Sequence, residues 1–224
     1  MTRGVSNPAA ADPPTNCAAC ARLSAFREHW RDVEPGWHNG PVPTSLPKDG
    51  PEAVRLLIVG LAPGLRGANR TGVAFTGDAS GAVLFGALER HGLARGYRPD
   101  AAGAGVELVG TAITNAVRCV PPQNRPTGSE ITRCRAHLEA TIARLAGLRV
   151  ILTLGRIAHD ATIRALGERV ADHPFGHGAQ TALNGLTIVS SYHCSRYNMN
   201  TGRLTEAMFD AVVAQAAEFL RRSS

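Results

Sequence analysis

Five cysteines are spread unevenly along this 224-residue chain, and four of them have the spacing of a ligand set. Cys17 and Cys20 form a C-x-x-C pair, and Cys119 and Cys134 follow far downstream. One local turn supplies two thiolates and two distant segments supply the others, so a bound ion or cluster would tie the N-terminal region to the middle of the domain. Four thiolates suit Zn²⁺ and iron–sulfur clusters alike. Structural zinc typically uses two compact knuckles, so a single pair joined by two lone cysteines favours a cluster. Cys194 stands apart from this set.

Three other polar side chains stand where strands or loops end. Asp78 precedes a helix, Asn115 closes a strand, and His193 closes another. A carboxylate can stabilise a developing cation and orient or deprotonate water, and an imidazole can donate to an oxyanion. An amide donates and accepts at once. Each residue also has an ordinary structural role, as helix cap, turn residue or strand-end histidine. Phe75 either closes a loop onto the core or offers a face on which a base can stack. His29, His38, His91, His137, His159, His173 and His177 show no metal-ligand spacing; His173 and His177, in HPFGHG, read as surface or rim residues.

The elements that must position these groups alternate along the chain. An amphipathic helix over Cys17–Val33 is followed by a Pro/Gly-rich connector to Pro51. VRLLIVG (54–60) is a continuous apolar run, the mark of a strand buried on both faces. TAITNAV (111–117), VILTLG (150–155) and LTIVSSYH (186–193) repeat the pattern, the last preceded by the tight turn Asn184-Gly185. Helices are expected from Asp78 or Ser80 to Gly92, from Ser129 to Leu145, after Gly155, and from Thr205 to Leu220. Repeated strand, loop and helix predict an α/β fold, a three-layer α/β/α sandwich around a mainly parallel four-stranded sheet. Ligands of such sheets bind at the carboxyl ends of the strands, where the unusual loops fall.

The densest of those loops runs from Gly60 to Gly81, GLAPGLRGANRTGVAFTGDASG. Its glycines permit a tight backbone with exposed amides, and Arg66 and Arg70 add positive charge. No Gly-Lys-Ser/Thr follows at phosphate-loop spacing and no G-x-G-x-x-G opens the helix, which argues against an NTPase. The formal charge of +6 favours a polyanionic partner. Lys48 is the one lysine among 24 basic residues, so compositional bias accounts for part of that signal. No apolar run is long enough to span a bilayer, and MTRGVSNPAAADPP lacks the apolar core of a signal peptide. The chain reads as cytoplasmic, with residues 1–15 a disordered tail and 16–224 one domain.

GLAPG after a strand, then GANRTG, FTGDASG, TNAVRCVPPQNRPT and HCSRYNMNTGRLT, closely resemble the uracil-DNA glycosylase superfamily, specifically its iron–sulfur-containing family five. The resemblance spans Cys17 to about Leu204. It implies a monofunctional glycosylase that initiates base excision repair on uracil and on other deaminated or damaged bases such as hypoxanthine and ethenocytosine. A cluster-bearing binding module without turnover is the competing reading. It also implies a [4Fe–4S] cluster on Cys17, Cys20, Cys119 and Cys134, and a nucleoid-associated monomer acting on damaged DNA. By resemblance, Asp78 and His193 are catalytic, and Gly60, Ala62, Phe75 and Asn115 form the base pocket. Arg66, Arg70, Arg118, Arg125, Arg196, Asn198 and Arg203 would contact DNA, with Tyr197 or Met199 as the wedge. Leu61 and Gly64 stand where most of the wider superfamily places an acidic or amide residue, which shifts the catalytic burden to Asp78. Cys194 stands where relatives commonly have proline, which loosens the backbone that orients His193.

Overall fold

A computed structural model describes residues 11–98, 103 and 105–222. Four strands, β1 (Leu56–Gly60), β4 (Thr111–Asn115), β5 (Val150–Leu154) and β7 (Leu186–Ser191), run parallel in the order β4-β1-β5-β7. Residues of β1 divide between two cores. Leu56 and Ile58 face a layer built from Leu84, Leu88, Phe209 and Val213, while Leu57 and Val59 face Leu138, Leu145, Ala158 and Ala161. The first layer comprises α3 (Ala79–Arg90) and α7 (Glu206–Arg222); the second comprises α4 (Gly128–Arg144) and α5 (Arg156–Ala165). Burial on both faces explains why these strands read as unbroken apolar runs.

The sheet has a fifth strand that its composition conceals. β6 (Gln180–Leu183) pairs antiparallel with β7 at the sheet edge. Asn184 and Gly185 both take positive φ, 51° and 78°, so the predicted tight turn is the two-residue loop of a hairpin. QTAL alternates exposed and half-buried positions, as an edge strand of a hairpin can, and it lacks the apolar signature of the central strands. A two-residue ribbon, β2 (Ala94–Arg95) with β3 (Glu107–Leu108), stands outside the main sheet. No described helix is long and apolar enough to cross a membrane.

The connections place the site. From β1 the chain crosses by α3 to β4 on one side, then returns by α4 on the opposite layer to β5 on the other. Such a reversal opens a crevice at the carboxyl ends of the strands. Gly60 and Asn115 are register partners at that end of β1 and β4.

The N-terminal segment is fastened to this frame by buried polar bonds. Residues 1–10 of the expected disordered tail lie outside the described residues, but 11–15 make specific contacts. The Asp12 carboxylate accepts from Thr44 N at 2.8 Å and from Arg118 Nη1 at 2.8 Å. Arg118 also donates to Thr44 Oγ1 and to Thr141 Oγ1, at 2.9 and 2.7 Å, and is fully buried. The expectation that Arg118 meets phosphates is therefore overturned: its guanidinium is spent inside the fold. Helix α1 (Ala21–Val33) starts after Cys20 rather than at Cys17 and buries Leu23 and Arg27. Arg27 donates to Thr15 O at 3.1 Å, and Arg22 forks onto Glu130 at 2.8 and 2.7 Å. Glu130 is itself half of a capping box with Thr127 at the start of α4.

Asp12→Ala should leave the buried Arg118 charge short of its counter-ion. Removing one partner of a fully buried pair costs about 3–5 kcal/mol. The Asp12 side chain is one-third exposed, so the loss should fall near or below the lower end of that range. Urea unfolding at neutral pH measures it; an unchanged midpoint would show that the segment adds nothing to the fold.

Candidate active site

A cavity of about 490 Å³ opens at the carboxyl ends of β1, β4, β5 and β7. Ala62, Phe75, Asp78, Asn115 and His193 all line it, drawn from four separate stretches of the chain. Gly60 lies against it and explains its corner. A Cβ built there would stand 2.4 Å from Asn115 Oδ1 and 2.8 Å from the Phe75 ring, so only glycine lets both side chains occupy that space. Asn115 is buried and its side chain makes no hydrogen bond among the described residues, which leaves an amide ready to pair with a ligand.

Phe75 takes φ 60°, a left-handed conformation unusual for a bulky residue. That backbone directs the ring into the cavity, where it lies near-parallel to the His193 imidazole with centroids 6.0 Å apart. A flat apolar wall results. Asp78 is the N-cap of α3, with Oδ1 accepting from Gly81 N at 3.1 Å, so the carboxylate sits at the positive end of the helix. Oδ2 faces the backbone of Gly64 and Gly67. Burial holds the His193 imidazole below the ordinary histidine range, and the charge of Asp78 opposes that shift. His193 Nδ1 is buried without a hydrogen-bond partner among the described residues.

The loop after His193 is braced from within. Asn198 donates from Nδ2 to His193 O at 2.8 Å, which fixes the histidine backbone. Cys194 is fully buried and its thiol lies 3.5 Å from Ser80 O, joining the histidine loop to the first turn of α3. The backbone there is held by packing despite the missing proline. Met199 packs on the core, whereas Tyr197 is 72% exposed on the short helix α6 (Arg196–Asn200). Arg66, Arg70, Arg125, Arg196 and Arg203 are all exposed.

Sequence reasoning passed over the end of β5. Gly155, Arg156, Ile157 and Ala158 line the same cavity, as do Ser195 and Asn124. Asn124 sits in the PPQNRP loop, where it and Gln123 both take φ 56°. The Gly155-Arg156 position at a strand end was the available signal.

The family model of the Uracil DNA glycosylase superfamily matches residues 47–217, most of the chain. The chain belongs to the uracil-DNA glycosylase superfamily. It is similar to a type-5 uracil-DNA glycosylase of Thermus thermophilus, 42% identical over 205 residues that cover 90% of this chain and 93% of the relative. A type-5 uracil-DNA glycosylase of Pyrobaculum aerophilum is 38% identical over 211 residues, covering 93% and 88%. A type-4 uracil-DNA glycosylase of the same organism matches more narrowly, 34% over 126 residues and 56% of each chain.

In this superfamily member the four spaced cysteines converge. Cys17, Cys20, Cys119 and Cys134 line one small cavity with Leu23 and Val117 between them. Among the described residues no group of three or more His, Cys, Asp or Glu side chains is drawn into a closed metal-ligand arrangement. The donor set itself fits a thiophilic group. Burial pushes the Cys119 thiol up to about 12 and raises Cys134 as well, so protons are held there unless a cation takes their place. Arg118 N donates to Cys134 Sγ at 3.3 Å, a bond that a thiolate accepts better than a thiol. The same apolar cluster includes Ala62, a wall of the larger cavity.

Burial depresses both His193 and His177, so the folded chain binds fewer protons than the unfolded one near the histidine range. Their contribution is fully present above the unfolded pKa of 6.5 and is lost as pH falls below it towards the folded values. Stability in urea should therefore drop between pH 7 and pH 5, with a smaller drop in His193→Gln. A variant slope equal to wild type would exclude His193 as a source of it.

Proposed function

We propose that this chain is a monofunctional DNA glycosylase that hydrolyses the N-glycosidic bond of uracil in DNA and so initiates base excision repair. The observation that supports it is the convergence of Phe75, Asn115, Asp78 and His193 around one cavity at the carboxyl edge of the sheet. Extruding a nucleotide costs a few kcal/mol of lost pairing and stacking. Stacking on Phe75 returns about 1–3 kcal/mol of that. The Asn115 amide can accept from N3–H and donate to O4, pairing uracil on the edge that it presents to adenine.

Cleavage builds positive charge on the sugar and negative charge on the departing base. Asp78 serves the first, stabilising the cationic sugar and orienting the attacking water with the oxygen that does not cap α3. His193 serves the second, donating to O2 as charge accumulates there. A neutral imidazole at pH 7, which burial favours here, suits that donor because it leaves the pocket without a fixed cation before the bond breaks. The walls are small, with Ala62, Gly64, Ala68 and Ala158 around a 490 Å³ space. That room supports a wider range that includes hypoxanthine and ethenocytosine. Tyr197 is the exposed side chain suited to wedge into the duplex, and Arg66, Arg70, Arg125 and Arg196 provide phosphate contacts.

Cys17, Cys20, Cys119 and Cys134 would hold a [4Fe–4S] cluster, which supplies a covalent cross-link and no electrons to a hydrolysis. It would fix α1 against the segment that follows Asn115 and against α4, beside Ala62 in the pocket wall.

Wild type should release free uracil from a uracil-containing duplex and leave a site that alkali cleaves. Binding without release would favour the module without turnover. Asp78→Asn keeps a side chain that caps helices as well as aspartate does but removes the charge. It should lose about 10²–10⁴-fold in rate with duplex binding within a few fold. Cys134→Ser should lose solubility and DNA binding together and lack visible cluster absorbance; a well-folded, colourless and fully active variant would refute the cluster's structural role.

A further inference from the structure

Two buried asparagines, Asn39 and Asn69, do not line the cavity but join parts of the chain thirty residues apart. Asn69 lies in the short helix α2 (Ala68–Thr71), within the glycine-rich loop, and its Nδ2 donates to Asn39 Oδ1 at 2.8 Å in a buried bond. Asn39 takes φ 43°, and its own Nδ2 donates to the carbonyls of Trp30 and Glu34, at 3.0 and 2.8 Å, at the C-terminal end of α1. The backbone repeats the link. Asn39 N donates to Asn69 O at 3.1 Å, and His38 N to Arg70 O at 3.0 Å. That end of α1 is itself braced: the Trp30 and Trp37 rings stack at 5.6 Å with their planes 1° apart, and Arg31 Nε donates to Asn39 O at 3.1 Å.

On its other side Asn69 holds the wall of the cavity. Its N–H donates to Gly64 O at 3.0 Å, and Arg70 N and Thr71 N donate to Gly67 O at 2.9 and 3.1 Å, so Gly64, Gly67 and α2 form one tight turn. Gly64 and Ala68 of that turn line the cavity. The turn also rests against Asp78. A Cβ built on Gly67 would stand 2.7 Å from Asp78 Oδ2, and one on Gly64 would stand 3.4 Å from it. That oxygen is the one that does not cap α3, so its surroundings depend on where α2 is held. Asn69 Oδ1 is buried without a partner among the described residues. An amide left half-satisfied in the interior costs stability, which leaves the bond to Asn39 as the contribution of this side chain.

We infer that Asn39 and Asn69 are positioning residues for base excision: their buried bond fixes α2 to the end of α1 and so holds the backbone of residues 64–67 beside the free oxygen of Asp78. The inference rests on the glycosylase reading for the role of Asp78. Neither asparagine lines the cavity, so both act through the carboxylate. A displacement of about 1 Å at a reacting group can cost about 10²-fold in rate. Loss of the bond should slow cleavage and leave duplex binding, which exposed arginines serve, nearly unchanged.

The test uses the full chain in saturating excess over a uracil-containing duplex, so the rate constant is that of one turnover by folded enzyme and does not follow the folded fraction. Asn69→Ala and Asn39→Ala should each lower it about 10–100-fold, with affinity for a duplex carrying 2′-fluoro-2′-deoxyuridine, which resists cleavage, within about twofold of wild type. The double variant should be no slower than the slower single one, because both lose the same bond. In an Asp78→Asn background Asn69→Ala should cost less than about twofold, since the group it positions has already lost its charge. A role in folding alone would give equal losses in both backgrounds, and that result would overturn the positioning role. Amide hydrogen exchange needs no turnover and should speed up across residues 69–72 in Asn69→Ala; unchanged exchange there would equally overturn it. Uracil release by wild type without the dependence on Asp78 sinks the positioning role alone. No release by wild type sinks the glycosylase reading, while exchange across residues 69–72 still reports whether the bond anchors the loop.

Discussion

The missing side chain at Gly60 lets two chemically different groups share one corner of the sheet. Register places Gly60 opposite Asn115 at the carboxyl ends of adjacent parallel strands. Any Cβ at that point would collide with the Asn115 amide and with the Phe75 ring. Hydrogen-bonding edge and stacking face therefore meet because the strand beneath them ends in glycine. The left-handed backbone at Phe75 completes the arrangement. The remaining groups are built outward from this corner.

Charge is arranged around it with the same economy. Asp78 is exposed and anchored at a helix start, where it faces the positive end of the dipole. His193 is desolvated, which favours its neutral form. A carboxylate at a helix start and a desolvated imidazole thus line one cavity, an arrangement suited to a reaction that separates positive from negative charge. Cys194 and Asn198 hold the histidine loop from either side, one through the first turn of α3 and one through the His193 carbonyl.

The N-terminal region is tied to the catalytic half by more than sulfur. Asp12 and Arg118, Arg27 and Thr15, and Arg22 and Glu130 all link the first thirty residues to β4, α4 or their own loop. A cluster on the four cysteines would reinforce a docking that polar bonds already specify. Ala62, in the pocket wall, packs against the same apolar cluster as the cysteines.

The sequence by itself determined the parallel core and the helices, while the resemblance of its motifs singled out Asp78, Asn115, His193 and Phe75, which the fold brings to one cavity. The core and the helices follow from local pattern: unbroken apolar runs mark strands buried on both faces, and a capping residue marks a helix start. The tertiary structure decided what depended on distant neighbours. Arg118 reads as a DNA-facing cation in an arginine-rich loop, yet Asp12, more than a hundred residues away, draws it into the interior. Asn198 also holds the His193 carbonyl through its Nδ2, a bond the sequence does not announce. β6 was hidden because a half-buried edge strand needs no apolar run, and its pairing comes from the Asn184-Gly185 turn. Sequence reasoning passed over Arg156, and Arg203 is one of several loop arginines expected to contact DNA. Each guanidinium lies over an aromatic ring, Arg156 on Phe175 and Arg203 on Tyr192, and because those rings contact each other both arginines line one cavity through packing that no local pattern announces.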